Sequence, residues 1–300
     1  YSWAFIICGT AAGWQPAVWE IVPPGERSKN LTRAQSISRR LLDAGIDRWT
    51  PFVAIGGGVV GDLGGYVAST FLRGLPLVHV PTTVVSQVDS SIGGKTGVNF
   101  GGGKNLIGTF YQPRAVIQDP SFLASLPERE FRAGLAEAVK IGVTLRPDLM
   151  QHLESHTPAL LQRDPEVLAR MVRDCVEAKG EVVGRDEREQ DVRAILNYGH
   201  TVGHALESVS LGRLRHGEAV SIGMVAAAWL GERLGVSLPE VAERQNALLR
   251  QLGLPTAAAG ANRDGLRRKV MLDKKMRARK VRFVLTLQIG GASVWPHIPN

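Results

Sequence analysis

The spacing of apolar and polar residues changes once along the chain, near residue 125. Before that point, short apolar runs at 52–55, 77–80 and 115–118 are bounded by nearby glycine or proline. Helical periodicity covers 31–44 and the segment YVASTFLRG. Strands that alternate with helices and glycine turns predict a parallel α/β sheet.

The rest of the chain has a mainly helical pattern. Six segments carry apolar residues at helical spacing, namely 128–143, 147–156, 165–183, 192–209, 218–234 and 239–252. One β-like run, VRFVLTLQIG at 281–290, interrupts them. The sequence therefore predicts an α/β N-terminal domain over residues 1–125 and a mainly α-helical C-terminal domain over residues 126–300.

Composition limits the class of protein. The chain of 300 residues is 44% hydrophobic and 21% charged, so it can bury a core. Cys8 and Cys175 are far apart, which favours free thiols and a reducing, cytoplasmic setting. No apolar run has the length of a membrane span, and the first residues lack the basic start of a signal peptide.

The net charge of +8 has a local source. Ten Lys or Arg residues and two Asp residues lie between Arg263 and Arg282. Such a run fits a nucleic-acid patch, a solvated face or a group of cations that holds an anionic substrate.

A glycine turn follows the first predicted strand. Gly56, Gly58 and Gly61 match G-x-G-x-x-G between a strand and a helix, where backbone N–H groups can hold a pyrophosphate. However, no Asp or Glu lies between Asp62 and Asp89, so the ribose-binding acid of an ordinary Rossmann unit is missing. A nucleotide site and a simple tight turn both remain open from this motif.

A long glycine-rich segment covers 88–108, and we expect a functional loop there. Lys95 and Lys104 lie in it with Asp89 and Asn105, and their ammonium groups suit phosphate or carboxylate. The P-loop pattern fails because Asp89 stands where that motif needs its first glycine.

Three histidines lie close together in the helical half. His200 and His204 are four residues apart and share a helix face, and His216 opens the next segment. Glu137 and Lys140 share a face of an earlier helix. A carboxylate with two or three imidazoles suits zinc, so we expect a metal-assisted enzyme. The spacing does not decide which of the histidines bind.

Longer segments resemble the 3-dehydroquinate synthase family of the shikimate pathway, in order and spacing, over about residues 23–290. The resemblance lies in GGGVVGDLGGYVASTFLRG, PTTVVSQVDSSIGGKTGVNFGGGKNLIGTFYQP, FLASLPEREFRAGLAEAVKIG, DEREQDVRAILNYGHTVGHALE, HGEAV and DKK...RFVL.

The resemblance implies an α/β NAD-binding domain and a helical metal- and substrate-binding domain. It implies conversion of 3-deoxy-D-arabino-heptulosonate 7-phosphate to 3-dehydroquinate and phosphate, a step in aromatic amino acid biosynthesis. The expected course is transient oxidation by NAD, β-elimination of phosphate, re-reduction, ring opening and aldol closure. The expected cofactors are NAD and Zn²⁺ or Co²⁺, and the expected assembly is a cytoplasmic homodimer.

The resemblance also implies roles for single residues. The metal ligands are Glu137, His200 and His216, whereas His204 lies beside the substrate phosphate. The cofactor contacts are Glu26, Lys29, Gly57, Gly58, Val59, Val60, Gly61, Asp62, Thr82, Thr83, Asp89, Lys95 and Lys104. The substrate contacts are Asp89, Lys95, Asn105, Lys140, Lys179, Arg193, Asn197, His204, and Lys274 or Lys275. Arg73 reaches the substrate phosphate of the neighbouring subunit. The catalytic set is Lys140, His204, Asp89, Lys95, Arg193 and Asn197.

The chain departs from the family before PPGE, where YSWAFIICGTAAGWQPAVWE replaces a longer start. We therefore expect strands of the sheet to be truncated or altered there, which would expose a sheet edge and weaken cofactor binding. Other readings are a sibling cyclase, such as a 2-deoxy-scyllo-inosose or valiolone-type synthase, and a metal-dependent alcohol dehydrogenase. The non-enzyme readings are a basic nucleic-acid-binding protein and an inactive scaffold. We expect neither nucleic acid nor membrane as a partner.

Overall fold

The computed structural model describes residues 5–9, 16–258, 260, 262–276 and 282–295, with backbone only for 5–9 and 272–276. The chain divides into two compact units, Tyr1–Leu126 and Pro127–Asn300. No helix in the described ranges is long and apolar enough to cross a membrane.

The first unit is an α/β structure. Its helices and strands in chain order are β1 (Phe5–Gly9), β2 (Pro16–Ile21), α1 (Leu31–Asp43), β3 (Phe52–Gly56), α2 (Gly58–Thr70), β4 (Leu77–Pro81), β5 (Lys95–Phe100), β6 (Gly103–Phe110) and β7 (Ala115–Val116). The main described sheet has the order β2-β1-β3-β4-β7. Strands β3, β4 and β7 are parallel, which confirms the predicted parallel core, and β1 runs antiparallel to β2 and β3.

The sequence accounts for these layers. Phe52 on β3 and Leu77 on β4 are completely buried, as is typical of strands covered by helices on a parallel sheet. Leu41 of α1 and Leu63 of α2 belong to the same core cluster. Helix α1 begins where the side chain of Asn30 accepts a hydrogen bond from the backbone of the first turn.

The first twenty residues contribute strands to the sheet. Residues 5–9 and 16–21 form β1 and β2, so the truncated or altered start that we expected does not leave this segment without strands. Strand β1 lies between β2 and β3, and the edge strand on that side is β2. Alternation in the segment 16–21 explains the strand, because Val18 and Glu20 are buried and Trp19 and Ile21 are exposed.

The segment 88–108 is not the loop that we expected. It contains the end of a π-helical turn, Ser86–Ser90, and then most of the antiparallel pair β5 and β6. Lys95 pairs with Phe110 at one end of this hairpin, and Lys104 lies beside the turn at the other end. Their α-carbons are therefore roughly 13 Å apart along the strands, so the two lysines do not form one cation pair.

The second unit is mainly helical, as predicted. Its elements are α3 (Glu128–Thr144), α4 (Pro147–Ser155), α5 (Thr157–Leu161), α6 (Pro165–Arg185), α7 (His200–Ser210), α8 (His216–Arg233), α9 (Pro239–Gln251), α10 (Arg263–Met276), β8 (Phe283–Gln288) and β9 (Gly291–Trp295). Every side chain of α3 from 133 to 144 is buried, so α3 is the central helix of this unit.

One prediction for this unit was wrong. The helix expected over 192–209 is interrupted, because Val192–Asn197 is a 3₁₀ segment and Gly199 takes a left-handed φ of 77° before α7 begins. Much of the basic run forms helix α10. The late β-like run forms β8, as predicted, and β8 pairs with a second strand, β9.

Candidate functional site

Three helices of the second unit bring the predicted metal residues together. Glu137 lies in the buried part of α3, His200 is the first residue of α7, and His216 is the first residue of α8. The left-handed turn at Gly199 ends the preceding 3₁₀ segment and sets the direction in which α7 and its first side chain start.

The close approach of these helices depends on the absence of a side chain at Gly217. A Cβ atom there would lie 1.7 Å from the carbonyl oxygen of Ala133 on α3. Since such a distance is impossible, only glycine lets the first turn of α8 touch the backbone of α3. This contact places His216 next to Glu137, which lies one helical turn after Ala133.

The donor atoms form a small cluster. The Nε2 atom of His216 lies 3.2 Å from Glu137 Oε1, and Nε2 of His200 lies 3.8 Å from the same oxygen. One ring nitrogen from each of His200, His204 and His216 lies within 4.8 Å of the others. The structure thus brings His204 to the cluster too, but its side chain is exposed.

Hydrogen bonds fix the orientation of two of the three rings. His200 Nδ1 lies 3.1 Å from the backbone oxygen of Tyr198, and His216 Nδ1 lies 3.1 Å from Glu207 Oε2. Both partners accept hydrogen bonds, so they hold a proton on Nδ1 and leave Nε2 to face Glu137. Metal-binding histidines have this arrangement in many proteins.

Glu137 is a buried carboxylate among cations. Its Oε2 lies 2.5 Å from Lys140 Nζ, and its Oε1 lies 3.2 Å from Nε2 of His216. Burial alone would raise the pKa of Glu137, but the Lys140 ammonium and the imidazoles of His200 and His216 lower that pKa well below its ordinary value. Glu137 is therefore an anion.

The two histidines have opposite protonation tendencies. Burial, with the charge of Lys140 added, lowers the pKa of His200 to about 3, so this ring is neutral. Burial also opposes the charged form of His216, but its contacts with the carboxylates of Glu137 and Glu207 raise its pKa to about 10. The ring of His200 is thus ready to bind a cation, whereas the ring of His216 must lose its Nε2 proton when a cation takes that place.

These residues fit a zinc-type ion. Ligand atoms at about 2.0–2.1 Å from a tetrahedral zinc are roughly 3.3 Å apart. The distances of 3.2 and 3.8 Å between Glu137 Oε1 and the two imidazole nitrogens are close to that spacing. One oxygen and two nitrogen donors also match the ligand types that zinc and cobalt accept.

Further predicted substrate residues lie in the same unit. Lys179 on α6 and Arg193 in the 3₁₀ segment are both buried, although both carry charge. The Arg193 guanidinium donates to the backbone oxygen of Glu187, and Asn197 Nδ2 donates to Glu189 Oε1 at 2.5 Å. The side chains of Lys274 and Lys275 lie outside the described residues.

The first unit holds the predicted cofactor residues at the glycine turn. Helix α2 begins at Gly58 directly after β3, and no described side chain caps its first amides. Lys29 Nζ lies 3.0 Å from Asp62 Oδ2 and 3.4 Å from Glu26 Oε1, so the structure brings these three residues together. An uncapped helix start beside β3 and β4 fits an anionic group such as a pyrophosphate.

The other predicted residues of this unit are spread over three elements. Thr82 and Thr83 follow β4, and a Cβ at Gly57 would lie 2.9 Å from Thr83 Cγ2, so Thr83 is adjacent to the glycine turn. Asp89 lies in the π-helical turn. Val59 and Val60 lie in the first turn of α2, whereas Lys95, Lys104 and Asn105 lie on the hairpin.

Arg73 lies at the end of a short 3₁₀ turn after α2. Leu72 and Arg73 have positive φ angles of 50° and 65°, which is uncommon for residues with side chains. Both side chains are exposed. The strained turn thus holds Arg73 at the surface of the unit.

Comparison with known proteins identifies the family. Models of the 3-dehydroquinate synthase N-terminal and C-terminal regions match residues 19–133 and 134–276. The curated 3-dehydroquinate synthase of Nostoc punctiforme is 48% identical over 294 residues, which cover 97% of this chain and 81% of that protein. The chain belongs to the 3-dehydroquinate synthase family.

Other relatives agree with this assignment. The 3-dehydroquinate synthase of Geobacter metallireducens is 48% identical over 95% of this chain and 79% of its own length. Among solved structures, the 2-epi-5-epi-valiolone synthase of Streptomyces hygroscopicus subsp. jinggangensis, with NAD⁺ and Zn²⁺ bound, has a TM-score of 0.86 at 30% identity and covers 93% of this chain and 78% of that chain. A butanol dehydrogenase of Thermotoga maritima, at 16% identity and a TM-score of 0.60, shares the fold alone.

The 3-dehydroquinate synthase resemblance did not indicate two of the residues that orient the histidines. Tyr198 and Glu207 hold the rings of His200 and His216, and neither was predicted from the sequence. Tyr198 acts through its backbone oxygen, and every residue type has such an oxygen, so the sequence gives no signal for this contact. Glu207 is nine positions before His216, so no helical spacing relates the two.

Proposed function

We propose that this protein converts 3-deoxy-D-arabino-heptulosonate 7-phosphate to 3-dehydroquinate and phosphate. Relatives of that activity at 48% identity over nearly the whole chain support it. In the structure, the observation that carries the proposal is the buried Glu137 carboxylate with the Nε2 atoms of two oriented imidazoles 3.2 and 3.8 Å away. This donor set suits the metal that the chemistry needs.

Glu137, His200 and His216 are the proposed metal ligands. Their donor types, their spacing and the acceptors on both Nδ1 atoms support this choice over a set that includes His204. Solved relatives contain Zn²⁺ in one case and Co²⁺ in another. A bound ion of this kind supplies a Lewis acid for hydroxyl and carbonyl oxygens of the substrate.

The first unit is the proposed NAD-binding unit. The uncapped start of α2 suits the pyrophosphate, and Glu26, Lys29 and Asp62 form a polar group in the same unit. The solved valiolone and inosose synthases have NAD⁺ bound. NAD supplies a hydride acceptor that this reaction regenerates within each turnover.

The charged residues of the second unit would bind and position an anionic substrate. Lys179 and Arg193 are buried cations, and a carboxylate or phosphate gives such cations strong, charge-assisted hydrogen bonds. Loss of phosphate requires removal of a proton next to a ketone. We propose that the exposed His204 imidazole and the Lys140 ammonium assist the proton transfers, since both lie at the metal cluster.

A sibling cyclase is the second candidate. The TM-score of 0.86 to the valiolone synthase shows how similar these structures are. Sequence identity favours the dehydroquinate activity, with 48% to the curated synthases against 30% to the valiolone synthase.

We also propose a cytoplasmic homodimer. The exposed Arg73 on its strained turn supports a contact with a second subunit, whose bound phosphate it would reach.

The test is phosphate release from the heptulosonate phosphate, with and without NAD and zinc, coupled to dehydration of the product. We expect release only with both cofactors, with one dehydroquinate per phosphate and no net NADH. Glucose 6-phosphate and sedoheptulose 7-phosphate serve as control substrates. Turnover of either control, and none of the heptulosonate, would reject the proposal in favour of a sibling cyclase.

A further inference from the structure

We propose that Glu207 is a positioning residue that holds His216 in its metal-binding orientation. This inference rests on the proposed metal centre and assigns a role to a carboxylate outside the ligand set. Glu207 lies on α7 and His216 begins α8, so the contact joins two helices that both contribute a ligand.

The contact is specific in geometry. Glu207 Oε2 lies 3.1 Å from Nδ1 of His216, while Nε2 on the far side of the ring lies 3.2 Å from Glu137. The two nitrogens of an imidazole point in widely different directions. Glu207 therefore faces the ring edge opposite the one that faces Glu137, which excludes Glu207 as a ligand of the same ion.

His216 needs such a partner more than His200 does. The side chain of His216 is 34% exposed, whereas that of His200 is 10% exposed and bonded to the backbone oxygen of Tyr198. The backbone oxygen of Tyr198 is held in place by the main chain that leads into α7, so it stays beside His200. The more exposed ring of His216 is held by two side chains, and the loss of Glu207 would remove one of these two contacts.

The carboxylate has a chemical as well as a steric effect. An acceptor at Nδ1 keeps the proton there, so the lone pair of Nε2 is available for a cation. The negative charge of Glu207 also increases the donor strength of the ring. Outer carboxylates of this kind change metal affinity by about 10- to 100-fold when they are removed.

The experiment measures metal binding to the full chain, with Zn²⁺ or Co²⁺ alone as the probe. Glu207→Ala removes the acceptor and the charge, and Glu207→Gln keeps an acceptor oxygen at nearly the same size. Glu154→Gln is the matched control, because Glu154 also pairs across helices of this unit, with Arg244 on α9. Competition against a coloured chelator gives the affinity, and the visible absorption of bound Co²⁺ reports the ligand geometry.

We expect Glu207→Ala to bind zinc about 10- to 100-fold more weakly, with an altered Co²⁺ spectrum. Glu207→Gln should lie between it and the wild type, and Glu154→Gln should match the wild type in both readouts. If circular dichroism shows that Glu207→Ala does not fold, the zinc affinity and Co²⁺ spectrum of the isosteric Glu207→Gln variant decide the question.

Two results would overturn the inference. Unchanged affinity and an unchanged Co²⁺ spectrum in the folded Glu207 variants would show that His216 is oriented without Glu207. An equal loss in Glu154→Gln would show a general structural effect. If the wild type itself binds no Zn²⁺ or Co²⁺, the proposed metal centre fails, and the inference fails with it, in a way distinct from the variant results.

Discussion

Three imidazoles meet at one cluster, but their surroundings differ. His200 is buried and bonded to a backbone oxygen, His216 is half-buried between two carboxylates, and His204 is exposed. A ligand needs a fixed ring with its lone pair aimed inward, whereas a group that transfers protons needs access to substrate and solvent. These surroundings therefore separate the roles of residues that a simple spacing rule treats as equal.

The first prediction distinguishes the two roles. His204→Ala should keep one equivalent of bound zinc and lose most of its turnover, because the change removes a proton carrier and leaves the ligands in place. His200→Ala should lose zinc affinity by more than the roughly 100-fold that an outer partner costs, since a ligand is gone. Metal content after gel filtration and steady-state kinetics check both variants. Loss of zinc from His204→Ala would place that residue among the ligands.

At the scale of elements, the proposed metal centre depends on places where two helices touch backbone to backbone, with no side chain between the helices. The first turn of α8 touches α3 at Gly217, and a Cβ at Gly223 would lie 1.9 Å from the backbone oxygen of Gly199 at the start of α7. Helix α8 therefore approaches both of its ligand-bearing neighbours more closely than ordinary side-chain packing permits.

The second prediction tests this contact. Gly217→Ala should lower the free energy of unfolding by at least about 2 kcal/mol, because the new methyl group forces α8 away from α3. Zinc affinity should fall as well, since His216 moves with the helix. Urea unfolding and chelator competition measure the two effects.

Gly184→Ala on α6 is the control for Gly217→Ala. Nothing lies within 4 Å of a Cβ at Gly184, so alanine there should be neutral or stabilising by up to about 1 kcal/mol. Equal stability of the two variants would contradict the proposed role of the α3–α8 contact.

Periodicity predicted most elements well, including α1, β3, β4 and the long helices of the second unit. It failed where backbone geometry overrides it. The left-handed turn at Gly199 splits one apolar pattern into a 3₁₀ segment and α7, and the hairpin of β5 and β6 is so rich in glycine that it resembles a loop. The roles carried over from the family, such as the ligand set, stay predictions, and the partner of His216 could not be found because it depends on a contact across helices.

At the scale of the whole molecule, each unit has its own hydrophobic core, and we propose that the first unit binds NAD and the second binds the metal ion. The first unit also contains a buried histidine on its central sheet, His79 of β4. Burial lowers the pKa of His79 to about 4, so the folded protein keeps this ring neutral where an unfolded chain would take up a proton.

The third prediction follows from that shift. Stability from a neutral His79 is complete above pH 6.5 and is lost as the pH falls towards 4, because the unfolded chain binds the proton first. The full loss is about 3 kcal/mol for a shift of this size. Urea unfolding at pH 7 and pH 4.5 should show a smaller decrease for His79→Gln than for the wild type. If the free energy of unfolding falls by the same amount in His79→Gln and in the wild type, the role of His79 in this pH dependence is rejected.

The fourth prediction concerns removal of the metal. Chelation should speed amide hydrogen exchange in α3, α7 and α8, because a ligand that binds only the folded state stabilises the helices that hold it. At free zinc of 100 times Kd the protection is about 100-fold, or 2.7 kcal/mol. Amides of β3 and β4 serve as the internal control, and their exchange rates should be the same before and after chelation. A uniform change over both units would argue against a local centre.

His200 and His216 are each the first residue of a helix. The peptide dipoles of α7 and α8 therefore both direct their positive ends at the cluster, each equivalent to about half an elementary charge. This backbone field does not depend on the identity of any side chain, and it adds to the positive charge of Lys140. Replacement of a single lysine should weaken the binding of a doubly charged phosphate without abolishing it. Part of the attraction comes from the backbone dipoles of α7 and α8, which remain in such a variant.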